Sequence, residues 1–289
     1  MQKINYLLNK LEIWSFYGFL ITFTLSIRKV LFFYSIRGQF NEYTGIYLYL
    51  SDIFLLLVLI SSGLSILCNK VLYKSSGNLN FTAYLKKKVV LIPLLFIIFS
   101  FVSVFWSTNW QVAFFRSIKL LEFYLLYLWV IFKMFHVEHK NSEKCSTWNI
   151  IKNSVEIIIF IGAIQSIVAI WQFIVQKSIG LIWFRESILS TDISGVAKVV
   201  LDGERYIRAY GFFPHPNILG GFLVLSIILT FAYFKPLDFL RNLKSSKDKQ
   251  KMFHVEHFGM KATEECFTWN IWLYYILLSI QFIALILTF

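Results

Sequence analysis

The chain has 289 residues, of which 57% are apolar and 19% aromatic, while Asp, Glu, Lys and Arg together make up only 15%. So little charge cannot close the surface of a water-soluble globule of this length, which excludes a soluble fold. The net charge of +12 reads as the cationic bias of a membrane protein's loops plus attraction to anionic headgroups, not as a nucleic-acid-binding surface.

A helix needs roughly 20 apolar residues to cross about 30 Å of hydrocarbon. Seven runs meet that length: 12–33, 46–68, 89–107, 113–133, 154–176, 217–234 and 271–289. They predict an all-α fold, a polytopic transmembrane helix bundle that makes a single domain of the whole chain. The first run has no small-residue cleavage site and is too long for a signal-peptide core, so it is expected to stay in place. With the N-terminus in the cytoplasm, the inner segments carry two, five, four and seven Lys and Arg residues and the outer ones three, none and five. Cationic loops stay inside, so this count predicts a cytoplasmic N-terminus and an external C-terminus.

Polar residues in or beside apolar runs need a partner or a task. In chain order, Arg28, Lys29 and Arg37 stand at the outer end of the first run and Asp52 near the start of the second. Arg116, Lys119 and Glu122 recur every three residues and share a stripe of the fourth. That stripe reads either as an intrahelical ion pair or as a basic lining for an anionic headgroup. Gln165 and Gln172, seven apart, share one face of the fifth run and are expected to hydrogen-bond to another helix. Arg205 and Arg208 end the long outer loop. If they meet Arg28, Lys29 and Arg37 on one side, the five cations would surround a phosphate or pyrophosphate, which suits bidentate Arg.

Two segments repeat one pattern: 133–150 reads KMFHVEHKNSEKCSTWNI and 251–271 reads KMFHVEHFGMKATEECFTWNI. Solenoid repeats keep a fixed period and carry a core, and these do neither. His136, His139 and Cys145, with His254, His257 and Cys266, suggest zinc. The spacing to the cysteine changes between copies, which argues against a fixed tetrahedral site, so no metal is expected. Met-Phe-His-Val-Glu-His back-translates to ATGTTCCACGTGGAACAT, its own reverse complement. A shifted frame of those bases encodes Cys-Ser-Thr-Trp-Asn. Both repeats therefore read as palindromic DNA sites translated within cytoplasmic loops that tolerate insertion. They resemble the centromere-like site of bacterial chromosome-partition systems. Cys68, Cys145 and Cys266 are assigned to helix ends or cytoplasmic loops, and no disulfide is expected.

His215 alone among the histidines is left for chemistry. It lies in Arg208-Ala-Tyr-Gly-Phe-Phe-Pro-His-Pro-Asn-Ile-Leu-Gly-Gly-Phe-Leu223, where a polar loop enters an apolar helix. Gly211 permits a tight bend, Pro214 and Pro216 stiffen the approach, and Asn217 is a favourable N-cap. The free N–H groups of such a helix start favour an anion beside Arg208. His215 reads either as a base, because imidazole titrates near neutral pH, or as a loop residue kept for shape or a hydrogen bond.

On Arg208, Gly211, Phe212, Pro216, Asn217 and Gly220, the stretch resembles the signature of the O-antigen ligase and polymerase family. Members carry an Arg, a Gly-Phe pair and a Pro-Asn step before a Leu- and Gly-rich helix. Ile27–Leu56, with Gly38-Gln39-Phe40-Asn41-Glu42-Tyr43, is also similar to some bacterial members. The resemblance implies a multi-pass glycosyltransferase of the bacterial inner membrane that needs no cofactor. Its donor would be a glycan on undecaprenyl pyrophosphate and its acceptor a glycan or lipid hydroxyl at the outer face. Arg208 would bind the leaving pyrophosphate, with Arg205, Arg28, Arg37, Arg116 and Lys119 as further candidate cations. Family members have more helices and a His-bearing outer loop further along, so the chain reads as the N-terminal portion of such a protein. Two other readings remain: a transporter of lipid-linked or anionic glycans, and a degenerate remnant that carries partition sites.

Overall fold

The computed structural model describes residues 2–35, 44–72, 88–135, 144–247 and 264–289. Seven long α-helices lie among them: α1 Gln2–Thr22, α2 Leu50–Leu72, α3 Lys88–Ser103, α4 Trp110–Phe135, α5 Lys144–Val175, α6 Pro216–Lys247 and α7 Glu264–Ile286. Each overlaps one of the predicted apolar runs. Four stretches are long and apolar enough to cross a membrane: Leu50–Cys68, Lys88–Trp106, Asn149–Val175 and Pro216–Phe234. α7 carries a shorter one, Trp272–Ile286. α1 and α4 are not among the four. Asn5, Asn9, Lys10 and Glu12 dilute the first, and Arg116, Lys119 and Glu122 interrupt the second.

Strands are few, but the sequence reading contained none. β1 Arg28–Phe33 pairs antiparallel with β2 Gly45–Tyr49, from Arg28 opposite Tyr49 to Phe33 opposite Gly45. β3 Lys198–Leu201 pairs with β4 Glu204–Ile207. The first predicted span, 12–33, is thereby corrected: its helix stops at Thr22, and its last six residues are strand. A short apolar run such as Arg28–Phe33 carries no periodicity that separates strand from helix.

The chain divides into two compact units, Met1–Phe23 with Ile27–Lys152, and Thr24–Ser26 with Asn153–Phe289. In the first, α1 and α2 run antiparallel. A Cβ on Gly18 would lie 2.6 Å from the Phe54 ring, and toward the other end Ser65 Oγ donates to Asn5 Oδ1 over 2.8 Å. α3 and α4 are also antiparallel: the hydroxyls of Ser100 and Ser117 are 2.9 Å apart and Tyr124 donates to the Val90 carbonyl over 3.2 Å. The buried carboxylates described in this unit, Glu12 and Asp52, are paired, as low-dielectric surroundings require. Lys119 Nζ lies 2.5 Å from Asp52 Oδ2 and 3.0 Å from Glu122 Oε2. Lys133 Nζ lies 3.0 Å from Glu12 Oε2, and Trp129 Nε1 donates to the other oxygen of that carboxylate.

The second unit packs α5, α6 and α7 around Ile161, Ala169, Leu219, Phe222, Leu223 and Ala284, closed by Ala209 and Phe213 of the intervening loop. Small residues set the spacing of these helices. The Cβ that Gly162 lacks would fall 2.0 Å from Ser226 Oγ, and the one Gly220 lacks would fall 3.1 Å from Thr288 Oγ1. Arg37, and His136, His139, His254 and His257 of the two repeats, lie outside the described residues.

Candidate functional site

The loop between α5 and α6 builds the site, and the β3–β4 hairpin gives it its frame. Asp202 and Gly203 have φ of 51° and 85°, the left-handed pair that joins two strands through a two-residue turn matching their twist. Asp-Gly between Lys198-Val-Val-Leu201 and Glu204-Arg-Tyr-Ile207 is a readable hairpin signal, and a search for membrane spans passes over it. On β4, Tyr206 donates to Glu204 Oε2 over 3.0 Å, and that carboxylate holds the phenol above its ordinary range. The strand then plunges inward. Ile207 is fully buried, its N–H reaching Gln176 Oε1 over 2.6 Å, while the Arg208 N–H reaches the Ala197 carbonyl over 3.1 Å.

Residues Ala209–Phe213 are buried main chain outside any helix or strand, so their polar groups need partners. Two glutamines of α5, each 1% exposed, supply them. Gln172 Oε1 accepts the N–H of Gly211 over 2.8 Å and of Tyr210 over 3.3 Å. Its Nε2 donates to the Gly211 carbonyl over 3.0 Å and to Glu186 Oε1 over 2.8 Å. Gln165 Oε1 accepts the Phe212 N–H over 2.8 Å. The two amides do share a face, as their spacing predicts, but the expected helix partner is replaced by loop main chain. Gly211 turns the corner at φ 60°, and a Cβ there would stand 2.5 Å from Gln165 Oε1.

α6 begins at Pro216, whose missing N–H costs nothing in a first turn. The N-cap is His215, not Asn217. His215 Nδ1 accepts the Asn217 N–H over 3.2 Å, and its carbonyl accepts those of Ile218 over 3.1 Å and Leu219 over 3.3 Å. The cap overturns the expected anion cradle and matches the hydrogen-bonding one of the two readings of His215. The donors of the helix start are already bonded and do not form an anion cradle, and the Nδ1 lone pair of His215 is engaged in capping.

Arg208 closes the site. Its Nε donates to the Thr288 carbonyl over 2.7 Å, Nη2 donates to the same oxygen, and Nη2 also reaches Asn217 Oδ1 over 3.0 Å. Ala209 N–H adds a 3.0 Å bond to the Leu287 carbonyl. A cation just past the C-terminal end of α7 opposes the negative end of that helix dipole. Asn217, freed from capping, orients the guanidinium. Gly220 makes room for Thr288. Thus the C-terminal ends of α5 and α7 and the N-terminal end of α6 are tied at one end of the second unit. Among the described residues the Nη1 group of Arg208 makes no hydrogen bond, so two charged donors remain on its edge.

The other candidate cations fall elsewhere. Arg205 is exposed on β4. Arg28, Arg116 and Lys119 belong to the first unit: Arg28 lies over the Tyr47 ring, 4.4 Å from its centroid, Arg116 is exposed on α4, and Lys119 is held by two carboxylates. The ion-pair reading of the α4 stripe therefore accounts for Lys119, which carries no uncompensated charge for a ligand. Signals for the glutamine clamp and the His215 cap were present in the sequence as an i, i+7 pair and as Pro at the first helical position. No known protein family, curated protein or solved structure matches the chain.

Proposed function

We propose that this chain is a membrane glycosyltransferase of the O-antigen ligase or polymerase type, multi-pass in the bacterial inner membrane with seven crossings and a cytoplasmic N-terminus. Arg208 engages the diphosphate of an undecaprenyl-pyrophosphate-linked glycan while the sugar passes to an acceptor hydroxyl of a glycan or lipid. The observation that carries this reading is convergence. Arg208, Gly211, Phe212, Pro216, Asn217 and Gly220, the residues on which the resemblance rests, all serve one polar knot at a loop-bearing helix end.

The chemistry follows from that knot. The acceptor hydroxyl oxygen attacks the anomeric carbon, the bond from that carbon to the phosphate oxygen breaks, the diphosphate leaves with the electron pair, and the hydroxyl proton passes to an oxygen of the departing diphosphate. Negative charge grows on the leaving oxygens, and a guanidinium already oriented by Thr288 and Asn217 meets it with no reorganisation. The free Nη1 edge of Arg208 supplies the charge-assisted donors. His215 is assigned to capping α6 and not to taking the acceptor proton.

The test is binding of undecaprenyl pyrophosphate to the purified chain in nanodiscs, beside glycan transfer in ligase-deficient cells. Hydrogen bonds to charged groups are worth about 1.5–3 kcal/mol, so Arg208→Met is expected to weaken binding by about 10–100-fold. Arg205→Met, on the exposed strand, should leave it unchanged. Equal affinity of the wild type and Arg208→Met would overturn the reading, provided Arg208→Lys, which keeps the charge, shows the helical signal intact.

A further inference from the structure

We infer that the loop Ser178–Ile188 is a membrane-surface anchor, with Ile182, Trp183 and Ile188 seated at the boundary between lipid headgroups and acyl chains. The loop begins where a membrane-crossing stretch ends: Asn149–Val175 is long and apolar enough to span a bilayer, and Ser178 lies three residues beyond it. Trp183 is 92% exposed, Ile182 81% and Ile188 79%. Phe184, less exposed at 44%, packs against the Phe212 ring, with centroids 5.4 Å apart.

This display is built, because the main chain beneath it is fixed. The Glu186 carboxylate accepts the N–H groups of Ile179, Gly180 and Leu181 over 2.7, 2.9 and 2.8 Å and the amide of Gln172 over 2.8 Å. Ile182–Phe184 forms a 3-10 turn, closed by Arg185 in the left-handed region at φ 56°. A loop held by this many bonds does not present an indole to water by accident. Bringing the three side chains into an apolar boundary withdraws their surface from water, and Trp favours that depth because one edge stays polar. Lys177 and Arg185 flank the apolar tip and are exposed, which places cations at phosphate level, while the Glu186 carboxylate is already occupied by four donors. Charge complementarity and continuity with a crossing helix both select an anionic bilayer surface as the occupant. The inference is independent of the glycosyltransferase reading.

The test places single spin labels on a chain with Cys68→Ser, Cys145→Ser and Cys266→Ser, reconstituted in phosphatidylethanolamine–phosphatidylglycerol vesicles. Ile188→Cys leaves Trp183 in place, Trp183→Cys samples the tip, and Asp202→Cys on the neighbouring hairpin turn is the aqueous reference. Labels at 183 and 188 are expected to collide readily with oxygen and poorly with a water-soluble nickel chelate, with an oxygen-to-nickel ratio several-fold above that at 202. Glu186→Gln, which loosens the clamp, should raise label mobility and lower that ratio. Nickel access at 188 equal to that at 202 overturns the proposal. So does low access to both reagents, which would mean that protein covers the loop.

Discussion

At the scale of single residues, the junction works by assigning each polar atom one partner. Gly211 is the least replaceable of its glycines, because a side chain meets two obstacles there. A residue other than Gly in left-handed backbone costs about 1–3 kcal/mol, and Gln165 Oε1 stands 2.5 Å from the new Cβ. Gly211→Ala is therefore expected to lose at least that much stability, read by denaturant unfolding in detergent, whereas Gly221→Ala, with nothing within 4 Å, should be nearly neutral. Gln172→Met fills the same space but strands the Gly211 N–H and carbonyl. Each orphaned buried group costs about 1–3 kcal/mol, and amide exchange at Gly211 should accelerate with the loss. The sequence made part of this visible. Seven-residue spacing showed that Gln165 and Gln172 share a face, but their partners lie some forty positions away, on a loop whose path no local pattern encodes. Asn217 is a chemically sound cap, and Pro216 overrides it by having to occupy the first helical position.

At the scale of elements, apolar run length located the helices, and small residues determined how closely they pack. In the second unit the contact of Gly162 with Ser226 is tight enough that any added carbon must displace a neighbour. Ser226 Oγ and both polar atoms of Gln281 have no hydrogen-bond partner there. Overpacking costs about 1–3 kcal/mol, so Gly162→Ala should lower the melting temperature. The double variant Gly162→Ala with Ser226→Gly should recover most of the loss, because the space passes from one helix to the other. Additive destabilisation in that cycle would mean that the two positions do not share the contact. The hairpins were illegible for a different reason. Four to six residues of Val, Leu, Phe and Ile satisfy a helix, a strand or the end of a span equally, and pairing with a strand twelve or more residues away decides the matter for Arg28–Phe33. For β3–β4, the Asp-Gly turn did carry the information.

At the scale of the whole molecule, the direction of each helix follows from contacts within its own unit. α1 and α2 alternate, as do α3 and α4, and α4 meets α2 through Lys119 and Asp52 and α1 through Lys133 and Glu12. In the second unit, α5 and α7 end where α6 begins. The proposal of seven crossings rests most heavily on α4, because its charges would stand inside hydrocarbon unless neighbours neutralise them. That makes the Lys119 cluster a condition for insertion. Lys119→Ala removes a cation that pairs with both Asp52 and Glu122, and breaking a buried pair from one side costs about 3–5 kcal/mol. The variant should accumulate poorly in membranes, and Asp52→Asn added to it should restore much of the yield. Reporter fusions then read the crossing itself. Alkaline phosphatase should be active after Asn109 and after Phe289 and inactive after Phe135, while a fluorescent protein should show the reverse. Equal phosphatase activity after Asn109 and Phe135 would put both ends of α4 on one side of the membrane, and the Arg208 knot could then no longer be assigned to the outer face by counting helices.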